Sequence, residues 1–187
     1  MTAIYLLNPE EYDIIVPSPD GKYYLESKAS SFIHYTRHAE NEISHDTVSL
    51  IEAATNTVIW EHELGMFDVR LRWSPCSRYA AVSSSMRWFS ITNILDTETL
   101  EYLPTPRVND ILEYLPDGFP VRNTYFREHF LVTEWVTDGQ VKIYFQIRDL
   151  NDLDDEDISR EFMIVGGYVY DLDVGLVWFE YDVYGAF

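Results

Sequence analysis

Cysteine is nearly missing from this chain: Cys76 is the only one in 187 residues. A lone cysteine excludes an intrachain disulfide and any multi-cysteine zinc or iron–sulfur site, and it fits a reducing compartment. Cations are scarce as well. Thirteen Lys and Arg stand against 32 Asp and Glu, a net charge of −19, which argues against nucleic acid or an anionic membrane surface as partner. No uncharged apolar run reaches the roughly 18 residues that a spanning helix needs. No basic residue precedes the short apolar run within 1–11, so the start does not read as a secretory signal. The expectation is a soluble, cytoplasmic protein. What is present is material for a core, with 47% hydrophobic and 16% aromatic residues. Acidity here is therefore not disorder, and the length suits one domain over 1–187.

The apolar residues recur at a spacing of two. Val69, Leu71 and Trp73 alternate with Arg70 and Arg72, and Val141, Ile143, Phe145 and Ile147 alternate with Lys142 and Gln146. That period belongs to half-buried strands, and the abundance of Tyr, Trp, Phe, Val, Ile and Thr suits a pleated surface. Turn signals at Asp20-Gly21, Asp117-Gly118, Asp138-Gly139 and Gly166-Gly167 separate the runs. The fold class read from this pattern is all-β and antiparallel.

The strands also repeat. Residues 14–27, with Ser18-Pro19-Asp20-Gly21-Lys22-Tyr23, line up with residues 71–84, with Ser74-Pro75-Cys76-Ser77-Arg78-Tyr79. The strand–turn–strand segments that follow, Val48–Ile51 with Thr57–Trp60 and Phe89–Thr92 with Thr99–Tyr102, match too. A weaker third copy is expected at Leu115-Pro116-Asp117-Gly118. A Ser-Pro-Asp-Gly-Lys turn entering an apolar strand, in units of about 40 residues, resembles the blades of WD40-like and TolB-like β-propellers over residues 11–106. The Gly-His and Trp-Asp dipeptides of true WD40 repeats are missing, so the resemblance implies blade topology and no functional residues. Blade-like units are expected at about 11–64, 65–106, 107–150 and 160–187, with 1–8 (Ile4–Leu7 above all) able to complete the last. They would form either a small propeller of about four blades or an open stack of two to three sheets.

No cofactor or metal site emerges. The acidic run 149–161 fails as a calcium loop. Counted from Asp149, its sixth position is Asp154 where glycine is needed, and its twelfth is Arg160 where a bidentate Glu is needed. His34 and His38 have helical metal-ligand spacing, with His45 near, but they lie in a polar insert, 28–46, that reads as an exposed excursion. His62 and His129 read as structural. No Gly-x-Ser-x-Gly elbow occurs, and Ser83-Ser84-Ser85 reads as a strand end and turn. The pairs Asp171/Asp173 and Glu180/Asp182 have the period of a polar strand face.

Two excesses remain, carboxylates and aromatics. Trp73 and Trp178 alternate with polar neighbours as core residues do. Runs that are aromatic on both faces, 86–89 and 177–181, must either be buried on both sides or expose rings. Exposed rings beside carboxylates make a surface that anchors and steers a basic protein. The expected function is non-enzymatic protein binding, concretely an immunity protein or inhibitor of a cationic toxin such as a nuclease. Its partner-binding residues are expected to be Asp152, Asp154, Asp155, Glu156 and Asp157, with Trp88 and Tyr181 as anchors. Two other readings stay open: a hydrolase or carbohydrate-active protein with an acidic pocket, and a structural subunit of a larger assembly.

Overall fold

In the computed structural model, residues 13–34, 41–66, 68–86, 89–115, 126–149 and 163–184 are described. They form an all-β fold of three four-stranded antiparallel meanders. The first comprises β1 (Ile14–Pro17), β2 (Tyr23–His34), β3 (Asn41–Glu52) and β4 (Thr57–Met66). The second comprises β5 (Asp68–Trp73), β6 (Tyr79–Ser85), β7 (Phe89–Asp96) and β8 (Glu101–Pro104). After a short helix α1 (Val108–Ile111) and a 3₁₀ turn (Leu112–Tyr114), the third comprises β9 (Phe126–Trp135), β10 (Gln140–Asp149), β11 (Met163–Asp171) and β12 (Gly175–Tyr184). A parallel join of β7 and β9, Phe89 with Glu128 and Ser90 with His129, merges the second and third meanders into one sheet.

Two cores lie in series. Leu25, Val48 and Leu50 of the first meander pack on Val69, Leu71, Ala80, Val82 and Leu95 of the second. Ala81 and Ile94, on the other side of the second meander, pack on Phe130, Ile143, Phe145 and Tyr168 of the third, with Val108 and Ile111 of α1. The middle meander is thus buried on both faces, which explains the small residues Ala80-Ala81-Val82-Ser83-Ser84 along β6. Ser83 and Ser84 are interior strand residues, not the turn that their composition predicted, because only short side chains fit between two packed sheets.

The repeat is visible atom by atom. The Ser18 N–H donates to the Tyr23 carbonyl and the Tyr23 N–H to Ser18 Oγ, as Ser74 and Tyr79 do in the second meander. The two turns also touch, the Asp20 N–H donating to Ser77 Oγ at 3.0 Å. Each following meander clasps the one before it through an indole. Trp73 Nε1 donates to the Val16 carbonyl at 2.8 Å, and Trp135 Nε1 to the Arg72 carbonyl at 3.2 Å. A matching turn in the third meander is at Trp135–Val141, around Asp138-Gly139. Leu115 lies just past the 3₁₀ turn, and Pro116-Asp117-Gly118 lie outside the described residues. The strands expected to belong to a third and a fourth unit are successive strands of one meander. The closing role expected of Ile4–Leu7 also falls outside the described residues.

The turns between third and fourth strands repeat as well, with Asn56 (φ 56°), Leu100 (φ 61°) and Gly175 (φ 92°) in the left-handed region. Leu100 bears the conformational cost because its side chain packs on the first core. A Cβ on Gly175 would meet open space, so Gly175→Ala isolates the backbone cost. The expected loss is about 1 kcal/mol, read from urea denaturation.

Residues 28–34 and 41–46 of the insert predicted as an excursion extend β2 and β3 into twelve-residue strands, and 35–40 lie outside the described residues. His45 there is buried, its Nδ1 3.1 Å from Ser27 Oγ. His38 lies outside the described residues. His129 is half-buried with Nδ1 2.8 Å from Ser90 Oγ, and His62 stacks on Trp60 and meets Tyr102 edge-on. Burial holds His45 below the ordinary imidazole value, against the pull of Ser27 and the carboxylates of Asp68, Asp13 and Asp46. Burial does the same to His129, helped by Arg148 and Arg127. A folded imidazole that resists protonation favours the folded state above the unfolded value of about 6.5, and that contribution is lost as pH falls through it. The denaturation midpoint should drop between about pH 7 and about pH 5, with a shallower slope in His45→Gln and His129→Gln. Glu128, pushed up by burial, acts with the opposite sign: it favours the folded state at low pH and loses that advantage as pH rises through its folded value.

Candidate functional site

Among the described residues the third meander packs on one face only. Along β10 the core side holds Val141, Ile143, Phe145 and Ile147, all buried, so Lys142 and Tyr144 project from the outer face. The register sets Tyr144 opposite Gly167 of β11, and Gly167 opposite Glu180 of β12. Gly167 has no side chain to fill the space between them. The result is a trough of about 460 Å³ on the outer face, walled by Glu134, Lys142, Tyr144, Glu180 and Asp182.

Lys142 and Trp178 lean across the gap. A Cβ on Gly167 would lie 3.9 Å from Lys142 Cε and 4.0 Å from the Trp178 ring. The Lys142 ammonium sits 5.3 Å from the Trp178 ring centroid, within cation–π range and worth about 0.5–1 kcal/mol at an exposed site. Around this single cation stand the three carboxylates Glu134, Glu180 and Asp182. The trough thus combines an excess of negative charge with an aromatic face, chemistry that receives cationic groups. At the same edge Val174, Val177, Trp178 and Tyr184 are exposed, Trp178 by 39% and Val174 by 74%.

Gly166-Gly167 was expected to be a turn and is the middle of β11. Gly166 faces the core, where a Cβ would lie 2.6 Å from Phe145 Cζ and would also meet the Glu180 carbonyl oxygen. Both glycines are there for close approach, one to a ring and a strand, the other to the trough.

The expected anchors are placed as follows. Tyr181 lies on the packed side of β12, half-buried, its ring 5.8 Å from Phe179, and it also lines the trough. Trp178, expected in the core, is outside. A bulge in β12 where it pairs with Val169/Tyr170 of β11 turns Trp178, Glu180 and Asp182 outward while Leu176, Phe179 and Tyr181 face in. Asp171 caps its own turn, accepting from the Asp173 and Val174 N–H groups and from Gln140 Nε2. Asp152, Asp154, Asp155, Glu156, Asp157 and Trp88 lie outside the described residues. Glu134, Lys142 and Tyr144 carried no local signal beyond their polar positions on strands. What joins them is the register around Gly167. Among the described residues no group of three His, Cys, Asp or Glu is disposed to hold a metal ion, and no helix is long and apolar enough to cross a membrane.

No protein-family model matches the chain, and no curated protein matches it. Among solved structures it is similar to hydrazine synthase of Kuenenia stuttgartiensis, with 15% identity and a TM-score of 0.40 over 74% of this chain and 40% of that one. It is also similar to TolB of Acinetobacter baumannii, with 12% identity and a TM-score of 0.34 over 91% of this chain and 43% of that one. The chain spans less than half the length of either, and likeness at these scores carries no argument about what it does.

Proposed function

We propose that this is a non-enzymatic protein-binding domain that docks an acidic, aromatic face onto a basic protein, acting as an immunity protein or inhibitor of a cationic toxin such as a nuclease. The observation that carries the reading is the outer face of the third meander, where Glu134, Glu180 and Asp182 surround a trough beside the exposed ring of Trp178. Rings supply area that can be desolvated, and the carboxylates steer a cationic partner and occupy its anion-binding groups. The net charge of −19 extends the attraction beyond the patch. Asp152, Asp154, Asp155, Glu156 and Asp157 lie in the segment linking β10 to β11 of the same meander and belong to the proposed surface.

The test is an affinity purification from the native host with the tagged chain, followed by reconstitution of the purified pair. A basic partner recovered near stoichiometry, whose own activity falls on binding and whose association slows as salt rises, supports the reading. So does weakened association after Glu134→Gln/Glu180→Gln/Asp182→Asn or after the five residues within 152–157 are changed to Asn and Gln. Recovery of the chain alone, or of a partner indifferent to both sets of changes and to salt, overturns it.

A further inference from the structure

Among the described residues the third meander ends in an uncovered edge, β12 pairing with β11 and with nothing on its other side. The other edges are shorter or shielded. β1 is four residues long and ends in Pro17, β8 is four long and ends in Pro104, and β5 carries Arg70 and Arg72, with the Trp135 indole bonded to its backbone. β4 packs Trp60 and His62 on Tyr102 of the second meander. β12, Gly-Leu-Val-Trp-Phe-Glu-Tyr-Asp-Val-Tyr, runs ten residues without Lys, Arg or Pro, its only charges Glu180 and Asp182 and its bulge confined to its first half.

We infer that β12 is completed by an extended segment of the basic partner, added as a strand, with Lys or Arg at alternate positions and apolar residues between them. The inference rests on the docking reading above and specifies its mode. The Glu180 carbonyl is turned toward β11, where a Cβ on Gly166 would meet it. Backbone alternation then turns the N–H and C=O groups of Phe179, Tyr181 and Val183 to the open edge. A strand laid there has one row of side chains beside Trp178, Glu180, Asp182 and Tyr184, and the other beside Phe179, Tyr181 and Val183. The first row calls for cations and the second for apolar groups. A second copy of this chain does not fit as well, because antiparallel self-pairing centred on Glu180 or Tyr181 opposes acid to acid.

The test is amide hydrogen exchange on the full chain, alone and with a capped octapeptide of alternating Lys with Val and Thr. Its counterparts are the same peptide with Glu for Lys, and one with the edge-pairing amides N-methylated. The Phe179, Tyr181 and Val183 amides should exchange readily in the free chain and at least about tenfold more slowly with the Lys peptide. The Glu and N-methylated peptides should not bind, and Glu180→Gln/Asp182→Asn should weaken the Lys peptide about tenfold. Equal binding of the N-methylated peptide overturns strand addition while leaving side-chain docking of a basic partner intact. Slow exchange of the three amides in the free chain overturns it too, since the edge is then covered by a second copy or by residues 1–12. If the Lys peptide fails to bind, strand addition is likewise overturned, and the affinity purification decides separately whether the docking reading stands.

Discussion

Gly166→Ala is expected to destabilise the protein by about 3 kcal/mol, whereas Gly167→Ala, one residue on, should change stability by less than about 0.5 kcal/mol. Adjacent glycines in one strand differ because their absent side chains point to opposite faces. A methyl on Gly166 enters the aromatic stack in which Phe145 lies 5.3 Å from Phe179 and 6.0 Å from Phe130, ring centroid to centroid, and it meets the Glu180 backbone oxygen as well. A ring can tilt, but a carbonyl held in a sheet cannot move without shifting β12. Phe145→Leu in the Gly166→Ala background should therefore recover only part of the loss, a coupling of about 1 kcal/mol, because the clash with β12 persists. At Gly167 the closest neighbours are 3.4–4.0 Å away, ordinary contact distances. Urea denaturation of the parent, Gly166→Ala, Gly167→Ala, Phe145→Leu and the Phe145→Leu/Gly166→Ala pair checks the set. A Gly166→Ala variant as stable as the parent would mean that β11 and β12 are not held this closely.

The strands themselves are legible because a two-residue period is hard to mistake: β5 buries Val69 and Leu71 and exposes Arg70 and Arg72, as alternation requires. The first two repeats are legible because Ser-Pro turns with a following Tyr make the same local bonds in both. Legibility ends where one residue breaks the count or one residue type has two uses. The bulge in β12 reverses the parity of Trp178, so simple alternation puts its ring in the core when it is outside. Gly-Gly signals a turn, yet here it serves close packing in mid-strand, which only the partner across the sheet reveals. The third repeat hides because its turn lacks Ser-Pro and keeps only Trp135 and Asp138-Gly139. What identifies it is the Trp135 bond to Arg72, a contact between meanders. The trough depends on register among three strands, Tyr144 with Gly167 and Gly167 with Glu180, and no local pattern encodes register across the 35 residues between Tyr144 and Glu180.

Thr92→Val should cost about 2–3 kcal/mol although it removes no apolar contact, and the reason lies in how the second and third meanders are joined. Thr92 Oγ1 donates to the Phe130 carbonyl at 2.9 Å and lies 2.7 Å from Ser83 Oγ, which in turn accepts from the Val132 N–H at 3.2 Å. Thr105 Oγ1 donates to the Thr92 carbonyl at 2.7 Å. Ser83, Thr92 and Thr105 are buried, so none can turn to water when a partner is lost. The ladder between β7 and β9 spans only two residue pairs, and the Ser83 and Thr92 hydroxyls supply hydrogen bonds to β9 that the short ladder does not. Ser83→Ala should cost about 1–2 kcal/mol by leaving the Val132 N–H and the Thr92 hydroxyl short of a partner. The double variant should cost less than the sum of the two, by about 1 kcal/mol, because each change alone orphans a group that the other removes. A double-mutant cycle by denaturation checks the coupling. Strict additivity would show that Ser83 and Thr92 bond to β9 independently rather than as one network.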